Sequence, residues 1–289
     1  MSYDLFLRSE DNSFDATSFE QYFSQRAHYN VQGSQAWYQN EATGVYFLFE
    51  LQGEDDSEAG EDFYPVAFNM NYFRPTYFVL EAEPEVTAFI KRFSMTVMDP
   101  QMEGMGTGDY SAERFKTGWL HGNDFGYSSI LKNHQDVYSL PQAQLHQLWE
   151  WNFNKEDLQG SVEDDVFVPK IMLVKRNGIP ITAAVWPDAI PSVLPEVDYL
   201  LIGRQELAPR RLFKKQDDMV VVAFSEMREL IDKYKTKMHG SAYYLFYESV
   251  PDEIKKAIQR FSPHNDELEG LPVDQVLDRE IVEKYFHDN

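Results

Sequence analysis

Between Phe63 and Gln101 the chain reads strand, turn, helix, strand, and this stretch limits what the rest can build around it. Residues 63–72 form a strand, Arg74-Pro75 a turn, 76–93 a helix and 94–98 a second strand, closed by Asp99-Pro100-Gln101. Pro75 suits the first helical position, where its missing N–H has no partner to lose. Pro84 falls inside the helical pattern and removes a donor there, so a kink or two short helices are expected. Val86, Phe89, Ile90 and Phe93 then recur at helical spacing and make one apolar stripe.

Short strands and helices alternate on both sides of this stretch without a regular βαβ rhythm. Asp15 opens a helix that Asp15 or Ser13 can cap, with Phe19, Tyr22 and Phe23 on one face. Residues 34–38 and 45–51 read as a hairpin around residues 40–44. Val45, Phe47 and Phe49 alternate with Tyr46 and Leu48, so the second strand is expected to be covered on both faces. A long helix follows Ser111, with Gly118, Gly122 and Gly126 at four-residue spacing, which would let another backbone approach. Asn177-Gly178 is the strongest short hairpin signal in the chain. The proline-rich stretch 187–195 reads as a non-helical connection, and a helix capped by Ser225 is expected to run to about residue 237. The pattern is α+β with mainly antiparallel or mixed sheet packed with helices. Two lobes, 1–138 and 139–289, are expected, with a single large domain as the alternative.

The charge bounds function more tightly than any motif. There are 48 acidic and 26 basic residues, a net charge of −22, and no cysteine. Disulfides, zinc-thiolate sites and cysteine nucleophiles are excluded. A field of this sign repels nucleic acid and anionic lipid and attracts basic partners. No apolar run approaches the roughly 20 residues that span a bilayer, and the first residues lack the pattern of a signal peptide. A cytoplasmic protein without nucleic-acid or membrane partners is expected. The densest acidic run is 50–62, where Glu54, Asp55, Asp56, Glu58 and Glu61 follow one another with no base between them. It reads as an exposed loop and a partner-binding segment.

Catalytic motifs are weak. His121 and Asp124 lie at i and i+3 on the helix after Ser111, a spacing for two metal ligands, with Asp99 as a third. A helix surface with a hydrogen-bonded histidine is the favoured account of the pair, and no metal or cofactor is assigned. Arg74 and Asp99 end two strands at what reads as one edge of the sheet. A buried Arg–Asp pair is the favoured account, an anion site at Arg74 the functional one. Gly104, Gly106 and Gly108 have no Lys-Ser or Lys-Thr after them and read as a flexible loop, not a phosphate loop. Asp164, Asp165 and Asp188 read as a solvated loop and a turn aspartate. Arg204, Arg210, Arg211, Lys214 and Lys215 make the one basic cluster, expected to meet the chain's own acidic loops, with anion binding as the alternative.

The opening Tyr3-Asp4-Leu5-Phe6-Leu7, with Gln35-Ala36-Trp37-Tyr38, Asn71-Tyr72-Phe73-Arg74-Pro75 and Asp99-Pro100-Gln101, resembles a set of bacterial proteins of unknown function. The resemblance runs through most of the chain. It implies a bacterial cytoplasmic protein and carries no activity or catalytic residue with it.

Together these features point to a non-enzymatic, acidic interaction protein that binds or neutralises a basic protein, as an immunity protein would. The alternative is an enzyme or small-ligand protein with a pocket near Arg74, Asp99, His121 and Asp124.

Overall fold

The computed structural model describes residues 1–9, 14–53, 63–101, 104–133, 137–208, 218–239, 242–264 and 267–286. The protein is α+β with mostly antiparallel sheets. It divides into two compact units, Met1–Leu145 with Asp274–Asn289, and His146–Val273.

The first unit begins β1 (Ser2–Ser9), α1 (Ala16–Ser24), β2 (Tyr29–Gln32), β3 (Gln35–Asn40), β4 (Val45–Leu51) and β5 (Val66–Asn71). It continues α2 (Phe78–Phe93), β6 (Met95–Asp99), β7 (Gly106–Gly108), α3 (Ala112–Ile130) and β8 (Tyr138–Leu140). β1 to β7 form one sheet in the order β2-β3-β4-β5-β1-β6-β7, antiparallel throughout. Period-two alternation decides its two faces. Tyr3, Leu5 and Leu7, Val45, Phe47 and Phe49, and Val66, Phe68 and Met70 all turn to one buried face. Aromatics from the helices meet them there. Phe89 of α2 lies 5.1 Å from Phe49 and 5.2 Å from Phe23 of α1, and Phe115 of α3 lies 5.6 Å from Phe68.

The opposite face is more open. Tyr46, Leu48 and Glu50 keep part of their surface, so β4 is fully buried on one side only, against expectation. The outward set is amphipathic rather than apolar, with Gln35, Asp4 and Asn69 among its members, and can stay partly wet.

α2 runs through Pro84 without a break. Phe78, Val79 and Ala82 are buried before the proline and Val86, Phe89 and Ile90 after it. Burying both halves on the same sheet outweighs the roughly 3 kcal/mol that an interior proline costs. The helix also starts later than expected. Pro75 heads a preceding turn in which Phe78 N donates to its carbonyl at 3.1 Å. Asp15 caps α1 as anticipated, accepting from Ser18 N at 2.8 Å.

α4 (Gln142–Gly160) leads into β9 (Ile171–Arg176), β10 (Ile179–Val185), β11 (Ser192–Leu194), β12 (Tyr199–Arg204) and β13 (Asp218–Ala223). Then come α5 (Phe224–Tyr234), β14 (Lys235–His239), β15 (Ala242–Leu245), α6 (Asp252–Arg260) and β16 (Leu268–Gly270). The second unit has a five-stranded sheet, β13-β12-β10-β9-β16, and a three-stranded one, β11-β15-β14. β10 and β12 pair in parallel, so the larger sheet is mixed. Asn177 (φ 51°) and Gly178 (φ 84°) are both left-handed, the geometry of a tight hairpin turn. Three expectations fail here. Pro187–Ala189 makes a short helical turn and Ser192–Leu194 a strand. α5 has no side-chain cap and ends at Tyr234, and the next five residues pair with β15.

The last elements, β17 (Val276–Asp278) and α7 (Arg279–Phe286), belong to the first unit. β17 pairs in parallel with β8. Its fully buried Asp278 accepts from Thr76 N at 2.8 Å and Thr76 Oγ1 at 2.7 Å, at the approach to α2. Among the described residues no helix is long and apolar enough to cross a membrane.

Candidate functional site

β5 and β6 both run antiparallel to β1, so they end at the same end of the sheet and bring Arg74 and Asp99 there. The expected Arg74–Asp99 pair does not form. β1 lies between the two strands, which sets their ends roughly 10 Å apart, two strand spacings. Arg74 instead donates from Nε (2.7 Å) and Nη2 to the Tyr46 hydroxyl and from Nη1 to Phe73 O (2.6 Å). Its acidic partner is Asp274, 3.8 Å away. Asp99 is 4% exposed and accepts from Tyr3 OH at 2.6 Å, Gln101 N at 3.0 Å and Met105 N at 2.9 Å. Burial first, then this hydrogen bond and the Asp99 charge, push the Tyr3 phenol far above its usual pKa.

Asp124 docks α7 onto α3. It accepts from Lys284 Nζ (2.9 and 2.8 Å) and Tyr285 OH (2.6 Å). Burial opposes its ionisation, but those bonds outweigh burial and hold its pKa below the usual range. His121 is exposed one turn earlier. The proposed trio of His121, Asp124 and Asp99 therefore does not assemble, since both carboxylates are held by other groups. No cluster of three or more His, Asp or Glu with metal-binding geometry occurs among the described residues.

Other sequence motifs resolve into structural parts. Gly106–Gly108 is an edge strand on β6 rather than a loop, and a Cβ at Gly104 would overlap the Asp99 carboxylate. Two glycines of α3 admit tyrosine rings, Gly118 facing Tyr3 and Gly122 facing Tyr72, while Gly126 faces the Cβ and backbone of Tyr72. Asp188 has φ 44°, and its Oδ1 accepts from the backbone N–H of Gln205, Glu206 and Leu207 at 2.9, 2.9 and 3.0 Å. Arg204 is fully buried, not part of a surface basic cluster. It forks onto Asp218 at 2.6 and 2.8 Å and donates to the Ile258 and Phe261 carbonyls at the end of α6. Glu54, Asp55, Asp56, Glu58 and Glu61, like Arg210, Arg211, Lys214 and Lys215, lie outside the described residues.

Clefts open on the first unit, two of which bear on the site. One, of about 810 Å³, lies between Gly53 and Pro65 on one side and Phe14–Ala16 on the other. Among the described residues its charged lining is Asp15 and Glu50, with no Lys or Arg. The Ser18 backbone N–H is the main cause that lowers the Asp15 pKa. Glu50 accepts from Gln35 Nε2 at 2.6 Å, and Gln35 Oε1 in turn accepts from Trp37 Nε1 at 3.1 Å. Trp37 is 41% exposed, an aromatic ring beside the acids. The other cleft, about 410 Å³, is bounded by Met1, Ser2, Tyr72 and Gln101 and by the Gly118–Phe125 face of α3. Of the four predicted ligand residues, only His121 lines it. Tyr72 went unnoticed in sequence because its motif marks a strand end, and Asp15 because it reads as a cap.

No family model matches this chain, and no curated protein or solved structure shows significant similarity to it.

Proposed function

We propose that this is a non-enzymatic interaction protein that binds, and in binding neutralises, a basic protein, in the manner of an immunity protein. The observation that carries the proposal is the cleft whose described lining has Asp15 and Glu50 and no base, in a chain of charge −22 whose sequence continues after Gly53 with Glu54, Asp55, Asp56, Glu58 and Glu61. A strongly acidic chain steers a cationic surface toward it and accelerates encounter. Trp37 supplies the kind of exposed aromatic that anchors interfaces once encounter has occurred. The ligand-site alternative has less support. Arg74, Asp99 and Asp124 are each held by groups within the fold.

The test begins with capture of partners from the host's lysate at low and high salt. The recovered basic protein is then bound to wild type and to a variant with the five acids of 54–61 replaced by Ser or Asn. The variant should associate about tenfold or more slowly at low salt, and the gap should close as salt rises. An association rate and salt slope identical to wild type would remove the acidic segment from the mechanism.

A further inference from the structure

The five-stranded sheet of the second unit carries its charged pairs on its more buried face. Strand registers sort its side chains into two sets. The ion pairs Lys175–Glu269 and Arg204–Asp218 belong to one face. Leu173, Ala184, Ile202 and Val220 share that face and are buried. On the other face Ile181 stands opposite Val174, and Ala183 opposite Met172 and Tyr199. Leu201 stands there opposite Val185 and Val221. Apart from Tyr199 these form one apolar cluster with Leu268, and among the described residues no helix contributes to it. Val174, Ala183 and Leu201 are buried at its centre, while the others keep part of their surface. At the margins Met219 is 37% and Ile179 65% exposed. The single charged strand residue on this face is Arg176, whose guanidinium lies 4.4 Å from the Tyr199 ring centroid. A half-solvated antiparallel sheet normally turns its polar side outward, so the usual arrangement is reversed here.

We infer that this face docks a second copy of the chain, face to face about a twofold axis. A contiguous apolar patch in contact with water marks an interaction surface. Charge selects the occupant. A basic protein would find no carboxylate on this face, only Arg176. An isologous contact sets a face against itself, so a face without acids lets two copies of a −22 chain meet without opposing carboxylates. The acids are also unevenly shared along the chain. The first unit has 27 acids and 10 bases, the second 21 and 16, and the face belongs to the less charged unit. Five strands about 4.8 Å apart and roughly 20 Å long present about 500 Å² per copy, or about 1,000 Å² for the pair, the lower limit of a specific interface. The dimer is therefore weak and concentration-dependent. It stands apart from the proposed binding of a basic protein, whose cleft is on the first unit.

The test is sedimentation velocity of the full-length protein over a wide concentration range, at low and at high salt. A dimer should populate with a Kd of roughly 10–100 µM. Because the copies repel each other, raising salt should tighten it about threefold or more, the opposite of the salt effect on a basic partner. Met219→Glu combined with Ile179→Glu puts acids at exposed positions on the face. The double variant should weaken the dimer about tenfold or more, because like charges then oppose across the contact. Its unfolding midpoint should stay close to that of wild type, since both positions are exposed. Trp37→Ser, on the first unit, should leave the dimer unchanged. A monomer throughout the range at both salts would overturn the inference. So would a dimer that loosens as salt rises, one that the double variant leaves intact, or one that Trp37→Ser abolishes equally. A monomer that captures a basic protein through Met219 and Ile179, losing it in the double variant, would give the face to that partner and overturn the inference as well.

Discussion

Tyr3 and Tyr72 lie side by side with ring centroids 6.1 Å apart, and both fit against glycines of α3. Burial raises both phenols' pKa values, and the same Asp99 charge adds to it. Yet the Tyr3 hydroxyl is bound to Asp99 at 2.6 Å, and the Tyr72 hydroxyl is bound to nothing described. One tyrosine closes a strand end and the loop beyond it, and the other leaves a polar atom at a cleft wall. Desolvation and hydrogen bonding are thus separated here within a single pair of neighbours. Burial alone says where a group sits, and its partners say whether the fold has already used it.

The largest effect should come from the acid at the centre of this pair. Asp99→Ala removes the acceptor for Tyr3 OH and for two backbone N–H groups, those of Gln101 and Met105. Leaving a buried phenol without its acceptor costs about 1–3 kcal/mol, and the two loop donors add to it, so a loss of about 3 kcal/mol in urea unfolding is expected. A loss below about 1 kcal/mol would mean that water replaces the carboxylate readily and that the closed corner is not closed.

Tyr3→Phe should cost less, about 1.5–2 kcal/mol at pH 7, because only one charge-assisted bond is lost and the ring packing remains. Its pH dependence adds a second comparison. A tyrosine whose folded pKa is raised keeps its full contribution below the unfolded value of about 10 and loses it as pH climbs beyond. Above pH 10 the wild type should therefore lose stability faster than Tyr3→Phe, by up to about 1.4 kcal/mol per pH unit, one proton's worth. Tyr72→Phe should flatten that alkaline limb to a similar degree. Denaturant titrations from pH 7 to 11 check both variants. Equal losses for the two at pH 7 would erase the distinction between them.

Much of the scaffold for this pair was legible in the sequence, and the pair itself was not. The Asp15 cap, the Asn177-Gly178 turn and the strand–helix–strand stretch are local, set by residues within a few positions of one another. Asp99 could be read as the end of a strand, but its partner Tyr3 is 96 positions away. Which strand stands beside β6 is a matter of sheet order, and periodicity is silent on that. The same gap made Arg74 look like the partner of Asp99, because nothing local reveals β1 between β5 and β6. The α3 glycines were visible as small residues at four-residue spacing, but whether a backbone or a ring fills such a groove depends on the facing strand. The β8–β17 pairing links residues 138–140 to 276–278 and is equally remote. Pro84 was overread for the opposite reason, a strong local rule overridden by burial on both sides of it.

The smallest expected change sharpens the comparison most. Tyr72→Phe removes a hydroxyl with no partner among the described residues and keeps the ring that fills the space beside Gly122. Its stability at pH 7 should stay within about 0.5 kcal/mol of wild type, the range of substitutions that break no specific interaction. A loss comparable to that of Tyr3→Phe would mean that the Tyr72 hydroxyl has a structural partner, and the cleft would lose its polar contact point. An unchanged stability would place the hydroxyl's purpose outside the fold. A hydrogen bond contributes to stability only where both partners belong to the protein, so a group that binding requires and folding does not is a group kept for something else.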